Sequence, residues 1–249
     1  MLTNPGGRPP GTPAGLRPGS SVAGPGPRGR PPRRGALLPA RLRRPAALLV
    51  AGCAAVTAVL ALTVSHQARP DGVDAAVDPW IRDGLRGYQG PLHLIADLGD
   101  LIPVTLMIGA LVAACLVARW WRGAALAALA VPVAVALTEA VLKPLIGRSL
   151  DGYQSFPSGH ATAMFGLAAT CAVLLANPPR PRLPGAVRLS LVLGAAVVAA
   201  TVAVAVVVLR YHYFTDTVAG TAVGVGVVLL TALLLDRARP VAARRPRQG

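Results

Sequence analysis

Residues 157–176 read PSGHATAMFGLAATCAVLLA, a short polar turn followed by an apolar run long enough to cross a membrane as a helix. The free backbone N–H groups at a helix start favour an anion, and a glycine there lets the anion approach closely. We therefore expect Ser158 and Gly159 to open a helix that can hold a phosphate, with His160 facing the same anion. A lone histidine would more often be a hydrogen-bonded interface residue, but the flanking Ser-Gly favours the anion site.

The composition of the whole chain is typical of a membrane protein. Of its 249 residues 53% are hydrophobic and only 4% are aromatic, and the mean hydropathy is +0.55, which suits helices in lipid better than an alternating β-barrel. The net charge is +15, but no basic stretch is combined with aromatic residues on a folded surface, so we predict no nucleic-acid partner. The three cysteines lie in apolar runs without metal-ligand spacing, and we predict neither a metal site nor a cofactor.

Six apolar runs have the length of a membrane span. They cover about 46–64, 101–118, 124–142, 158–176, 189–209 and 217–235. We predict an all-α integral membrane bundle of six helices over residues 46–236, in which Asp100 caps the second helix. A disordered tail rich in Pro, Gly and Arg precedes it over 1–45, and a second basic tail follows over 237–249. Both tails are candidates for contact with anionic lipids.

The distribution of Lys and Arg predicts the orientation in the membrane. With both termini in the cytoplasm, 19 of the 25 Lys and Arg residues lie on the cytoplasmic side. The positive-inside rule therefore places segments 65–100, 143–157 and 210–216 on the extracytoplasmic side. Three polar segments then share one face of the membrane. They bring together two histidines, a carboxylate, three fixed cations and a hydroxyl, namely His160, His212, Asp216, Lys143, Arg148, Arg210 and Ser158.

These side chains can form a phosphate-transfer site. His212 and Asp216 are four residues apart, so on a helical turn the carboxylate can accept one ring N–H and leave the other nitrogen free as a nucleophile. The alternative is that Asp216 only caps the sixth helix, and the two roles are compatible.

The basic residues of these segments are candidate phosphate ligands. Lys143, Arg148 and Arg210 would neutralise phosphate oxygens, although single cations at helix ends also extend to the interface. Glu139 lies one turn before Lys143, and we expect the two to form an ion pair.

With these segments assembled, the chain resembles the type 2 phosphatidic acid phosphatase superfamily, membrane enzymes whose site is related to that of vanadium haloperoxidases. The middle family motif, Pro-Ser-Gly-His, matches in full at 157–160, the His-x3-Asp of the third motif matches His212 and Asp216, and Lys143 matches the start of the first. The resemblance implies metal-independent removal of phosphate from a lipid. It implies that His212 forms a phosphohistidine, that Asp216 orients it, and that His160 protonates the leaving oxygen.

Two places depart from the family pattern. The Arg-Pro that ends the first motif is Leu-Asp at 150–151, with Arg148 two residues early, and the Ser-Arg that opens the third motif is Ala-Val at 205–206. Arg210 lies four residues after Val206, so on a continuous helix it would point to nearly the same face and could replace the missing arginine.

Three functional hypotheses follow. The leading one is a plasma-membrane phosphatase that hydrolyses a lipid phosphate or diphosphate on the outer face, with polyprenyl diphosphate as one candidate by family analogy. In the second, the phosphoryl group passes to an alcohol instead of water. The third is a catalytically weakened protein that binds lipid phosphate. The joint presence of His160, His212 and Asp216 argues against the third, because binding needs no pair of nucleophile and acid. The oligomeric state is left open.

Overall fold

The structure, a computed structural model, describes residues 36–70, 72–178 and 183–238 and is helical over most of them. The helices are α1 (Ala40–Val64), α2 (Val73–Gly84), α3 (Gln89–Asp97), α4 (Leu101–Val117), α5 (Trp121–Ala136), α6 (Lys143–Ile146), α7 (Gly159–Ala176), α8 (Gly185–Val208) and α9 (Phe214–Arg237). A 3₁₀ turn covers Arg86–Tyr88, a π-helix covers Leu137–Leu142, and a short antiparallel hairpin pairs β1 (Ser149–Leu150) with β2 (Tyr153–Gln154). Most of the two predicted basic tails lies outside the described residues.

Five of the described helical stretches are long and apolar enough to cross a membrane: α1, Trp121–Ile146, α7, α8 and α9. A sixth span results if α4 is joined to the helical stretch Arg86–Asp97 across a bend of 48°. The prediction of an all-α membrane bundle is therefore confirmed. The third predicted run, which was expected to end at 142, continues through the π-helix into α6. It ends at Gly147, which adopts a left-handed φ of 64°.

The first helix begins earlier than the sequence predicts. The predicted tail extends to residue 45, but α1 begins at Ala40. The carboxylate of Asp236, near the end of α9, accepts the backbone N–H groups of Leu37 at 2.8 Å and Leu38 at 3.0 Å. These contacts hold the chain immediately before α1 against the end of α9, so the tail is ordered before its predicted boundary.

Helix α9 packs against α1, α5 and α7. Its approach to α7 is close because two glycines face that helix. A Cβ atom on Gly220 would collide with the carbonyl oxygen of Ser158, and one on Gly224 would collide with that of Thr162. The Gly-x3-Gly spacing therefore serves helix packing. Because α7 and α9 begin with the second and third polar motifs, this contact also holds those motifs together.

The segment between α1 and α4 covers one end of the bundle. Helix α2 packs against α8 and α9, and α3 packs against α8. Asp74 and Asp78 on α2 are each only 1% exposed, whereas Trp80 on the same helix is 78% exposed. The sequence predicts only an outer connection here, because these helices are shorter than a membrane span.

Candidate active site

The predicted polar motifs meet at the end of the bundle that α2 and α3 cover. Ser158 donates its backbone N–H to the carbonyl oxygen of Asp216 at 2.9 Å, which joins the second motif to the third. The ring centroids of His160 and His212 are 5.9 Å apart, with an angle of 65° between the ring planes. The structure therefore brings together the two histidines that the sequence places 52 residues apart.

Ser158 and Gly159 occupy the start of α7, as the sequence predicts. Ser158 is the N-cap residue and is fully buried, and its hydroxyl oxygen accepts the backbone N–H of Ala161 at 3.3 Å. Gly159 lines the cavity in front of the histidines, whereas Ser158 does not. The Ser158 side chain therefore stabilises the helix start, and Gly159 presents that start to a ligand.

His212 lies in the turn between α8 and α9, and a main-chain group orients its ring. Its Nδ1 lies 2.9 Å from the carbonyl oxygen of Ser155. Because a carbonyl oxygen can only accept, Nδ1 carries a proton, and in the neutral ring Nε2 then keeps its lone pair. The sequence predicted Asp216 as the acceptor, but its Oδ2 is 3.8 Å from Nδ1 and instead accepts the backbone N–H of Tyr213 at 3.0 Å. Ser155 was missed because a backbone acceptor leaves no side-chain pattern.

His160 is paired with a carboxylate that the sequence analysis identified only as a helix cap. Asp100 occupies the N-cap position of α4, but its side chain makes no capping hydrogen bond there. Its Oδ1 lies 3.2 Å from Nε2 of His160. Asp100 is thus placed as a counter-ion for the protonated ring of His160.

The two histidines open onto a cavity of about 600 Å³ between α4, α5 and α7. Its lining includes the polar residues Asp100, Thr105, Glu139, Lys143, His160 and His212 and the glycines Gly99 and Gly159. Its apolar lining includes Leu101, Val104, Ile108, Val131, Pro132 and Val135. Ile108 lies two helical turns beyond Asp100, about 12 Å further along α4, so the apolar walls extend along the bundle from the polar end. The cavity can hold a charged group joined to an apolar chain.

The predicted pair of Lys143 and Glu139 is present in this cavity, with Nζ 2.8 Å from Oε2. Glu139 lies within the π-helix, a rare form that often marks functional sites. Its Oε1 would lie 2.5 Å from a Cβ atom on Gly159, so the carboxylate is packed against the start of α7. The same carboxylate therefore contacts both the cation and the helix start that were predicted to hold phosphate.

Arg148 does not line the cavity. It is fully buried, with Nη2 2.5 Å from Oδ2 of Asp74 and Nη1 2.6 Å from Oδ1 of Asp216. Nη1 also donates to the hydroxyl of Thr215 at 2.8 Å, and the guanidinium lies 4.1 Å from the centre of the Tyr213 ring. The predicted contact of Arg148 with phosphate does not match this placement, because both terminal nitrogens are bound to carboxylates.

Arg210 is exposed and does not line the cavity either. Helix α8 ends at Val208, and Arg210 adopts a left-handed φ of 62°. The expectation that Arg210 replaces an arginine at Val206 assumed a continuous helix, and the helix ends between them. Among the described residues that line the cavity, Lys143 is therefore the only Lys or Arg.

Asp74 and Asp78 are two further buried carboxylates at this end of the bundle that no motif in the sequence marks. The carboxylate of Asp78 accepts the backbone N–H of Phe214 at 3.0 Å and lies 3.1 Å from Arg82. Burial raises the pKa of Asp78 from its ordinary 3.8 to about 6, although these two contacts oppose the shift. The only sequence signal was the four-residue spacing of the two aspartates, because their partners on α9 lie far away along the chain.

A model of the PAP2 superfamily matches residues 45–240. Among solved structures, the chain is similar to a transmembrane PAP2-type phosphatidylglycerolphosphate phosphatase from Bacillus subtilis, with a TM-score of 0.60 and 20% sequence identity over 73% of this chain and 93% of that chain. A search of curated proteins found no match. At this identity, the structural likeness shows a shared fold.

Proposed function

Because this chain belongs to the PAP2 superfamily, we propose that it is a membrane phosphatase that hydrolyses a lipid phosphate or diphosphate through a phosphohistidine on His212. The observation that carries the proposal is the orientation of His212. Its Nδ1 is bound to the Ser155 carbonyl oxygen, which leaves Nε2 as a nucleophile beside the ring of His160.

The proposed reaction has two steps. Nε2 of His212 attacks phosphorus, so that an N–P bond forms and the P–O bond to the lipid breaks, while His160 gives its proton to the leaving oxygen. Water then attacks the phosphohistidine and gives a proton to His160, the N–P bond breaks, and inorganic phosphate leaves. The Ser155 carbonyl oxygen keeps the ring of His212 oriented in both steps. Asp216, 3.8 Å from Nδ1, stabilises the positive charge that develops on the ring.

Two groups are proposed to bind the phosphate. Lys143 supplies a cation, and the backbone N–H groups at Gly159 supply the positive end of α7. A substrate phosphate would have to displace the Glu139 carboxylate, which contacts both in the structure. The apolar walls of the cavity would then hold the start of the lipid chain.

We place the site on the extracytoplasmic face of the plasma membrane. The positive-inside rule supports this, since 19 of the 25 Lys and Arg residues fall on the opposite side when both termini are cytoplasmic. Polyprenyl diphosphate and phosphatidylglycerol phosphate are candidate substrates. The first comes from family analogy, and the second is the substrate in the name of the Bacillus subtilis protein.

Phosphate release by the purified protein in detergent tests the proposal. The substrates are phosphatidic acid, phosphatidylglycerol phosphate and a polyprenyl diphosphate, each with and without a chelator. We expect release from at least one substrate that the chelator does not affect. His212→Ala should abolish this release, whereas His66→Asn, a change at an exposed histidine outside the cavity lining whose positive φ Asn tolerates, should change it less than about twofold. Release by His212→Ala equal to that of the parent protein would exclude the mechanism.

Two further measurements test the finer parts of the proposal. An added alcohol acceptor that collects the phosphoryl group in place of water would identify a phosphotransferase. In right-side-out vesicles, a membrane-impermeant substrate should be hydrolysed without lysis. Hydrolysis only after lysis would place the site on the cytoplasmic face.

A further inference from the structure

We propose that Asp74 and Arg148 are positioning residues for the nucleophile, which they hold in place by fixing the turn 209–213 through Asp216 and the start of α9. The proposal rests on the function proposed above. It assigns Arg148 to the support of the catalytic turn instead of to the phosphate. It also gives α2, in the connection between the first two spans, a supporting role at the active site.

Three buried charges form the centre of this arrangement, here called the Asp74–Arg148–Asp216 bridge. Arg148 lies between the two carboxylates, at 2.5 Å from Asp74 and 2.6 Å from Asp216, and all three side chains are at most 1% exposed. A buried charge that loses its partner is strongly destabilising, so such a bridge holds its members in one geometry. Thr215 joins the bridge, because its hydroxyl contacts Arg148 at 2.8 Å and Asp74 at 2.7 Å.

Helix α2 also caps α9 from a distant part of the chain. The first backbone N–H groups of a helix have no partner within the helix and need a cap. Here Asp78 accepts the N–H of Phe214 at 3.0 Å, and Asp74 accepts that of Thr215 at 2.8 Å. Arg82, on the same helix, donates Nε to the carbonyl oxygen of Val207 at 3.1 Å. Helix α2 therefore contacts both the end of α8 and the start of α9, the two ends of the turn that carries His212.

Arg148 also supports the group that orients His212. Its carbonyl oxygen accepts the backbone N–H of Ser155 at 3.0 Å, and the Ser155 carbonyl oxygen binds Nδ1 of His212. The side chain of Arg148 thus fixes Asp216 while its backbone fixes Ser155. Both groups lie close to Nδ1 of His212, the Ser155 carbonyl oxygen at 2.9 Å and Oδ2 of Asp216 at 3.8 Å. A shift of Arg148 would move both, and a small misplacement of a nucleophile lowers the rate steeply.

A positioning role and a phosphate-binding role predict different kinetics. A positioning residue lowers kcat while KM and inhibition by inorganic phosphate stay the same. A phosphate ligand would change KM and the inhibition constant. The test variant is Asp74→Asn, which removes the charge and keeps the shape. The matched control is Asp83→Asn on the same helix, where the carboxylate is 60% exposed and, in the part of the chain that the structure describes, pairs with Arg86 alone.

We expect Asp74→Asn to lower kcat about 10- to 100-fold, in line with the loss of one charge-assisted contact, and to leave KM and phosphate inhibition within about twofold. Thr215→Val removes a hydroxyl but no charge and should lower kcat less, by about three- to tenfold. This second variant tests the proposal if Asp74→Asn does not fold. Arg148→Lys should retain more activity than Arg148→Gln. Kinetics of Asp74→Asn equal to those of Asp83→Asn, or a tenfold rise in KM and in the phosphate inhibition constant, would overturn the proposal.

Hydrogen exchange needs no substrate, so it tests the positioning role of Asp74 and Arg148 independently of the proposed phosphatase activity. Peptides covering 209–216 should exchange at least tenfold faster in Asp74→Asn than in Asp83→Asn, since the one oxygen of a side-chain amide cannot accept from both the Thr215 N–H and Arg148, as the two carboxylate oxygens of Asp74 do. If the parent protein hydrolyses no lipid phosphate and exchange still rises, the bridge stands and the proposed function fails. If exchange does not change, the bridge does not hold the turn.

Discussion

Asp100 and His160 form a pair at the polar end of the cavity, with Oδ1 of the carboxylate 3.2 Å from Nε2 of the ring. The pair joins the start of α4 to the first turn of α7. It therefore couples the second span to the residue that is proposed to protonate the leaving group.

The first prediction concerns this pair. If His160 acts as the acid and Asp100 as its counter-ion, Asp100→Asn should lower the turnover of an alkyl phosphate about three- to fivefold, because the protonated ring loses an ion pair whose carboxylate is 56% exposed. A nitrophenyl phosphate, whose leaving group needs no proton, should be turned over within about twofold of the parent rate. Steady-state rates with both substrates measure the difference. Asp97→Asn, an exposed aspartate three residues earlier, is the control. Equal loss with both substrates would exclude the counter-ion role.

The second prediction concerns the pair of Glu139 and Lys143. Because the carboxylate competes with a substrate phosphate for Lys143 and for the start of α7, Glu139→Gln should lower KM by about two- to fivefold. Lys143→Met should act in the opposite direction and lower kcat/KM by about 10- to 150-fold, since the phosphate loses a charge-assisted contact. Initial rates over a range of substrate concentrations distinguish these effects. A rise in KM for Glu139→Gln would show that the carboxylate helps to bind the substrate.

The third prediction concerns Arg210. The sequence predicted that this residue binds phosphate, but it is exposed and outside the cavity lining. Arg210→Ala should therefore change kcat/KM less than about threefold, as is usual for a surface position. Arg119→Ala, another exposed arginine with a positive φ, provides the control for a change of charge. A loss of more than tenfold for Arg210→Ala alone would restore the sequence-based role.

The fourth prediction concerns pH and Asp78. Its pKa of about 6 in the folded protein lies above the ordinary 3.8, so between these values the folded protein holds a proton that the unfolded chain has released. This contribution to stability is therefore largest at the acid end and is lost as the pH rises through about 6. The groups that face Asp78 are Arg82, Asp74, Asp216 and the N–H of Phe214. Thermal unfolding in detergent between pH 4 and 7 should show a decline in Tm that Asp78→Asn removes and Asp83→Asn retains.

The membrane bundle was predictable because its information is local. A run of about 20 apolar residues is long enough to cross the membrane as a helix whatever the rest of the fold, so the spans follow from the sequence. Ser158 and Gly159 also follow locally, since a capping serine and a permissive glycine mark a helix start. The three residues of the main catalytic proposal, His160, His212 and Asp216, follow from short motifs. These motifs place them at span ends on one face.

The supporting contacts were not predictable, because they depend on tertiary geometry. The acceptor for His212 is the carbonyl oxygen of Ser155, and any residue type has that group. Arg148 was assigned to phosphate because its charge was visible in the sequence, whereas its burial between two carboxylates was not. The expected position of Arg210 assumed that α8 continues to this residue, and the sequence does not show that α8 ends at Val208.

The capping of α9 by α2 has a consequence for biosynthesis. Asp74 emerges from the ribosome long before Thr215, which lies 141 residues later and supplies the backbone N–H that Asp74 accepts. Until the last span has entered the membrane, Asp74 and Asp78 cannot accept the backbone N–H groups of α9. At that stage Arg148 also lacks its contact with Asp216. The catalytic turn can therefore take its final form only after the whole bundle has been inserted, and a nascent chain that stalls before α9 carries no assembled centre.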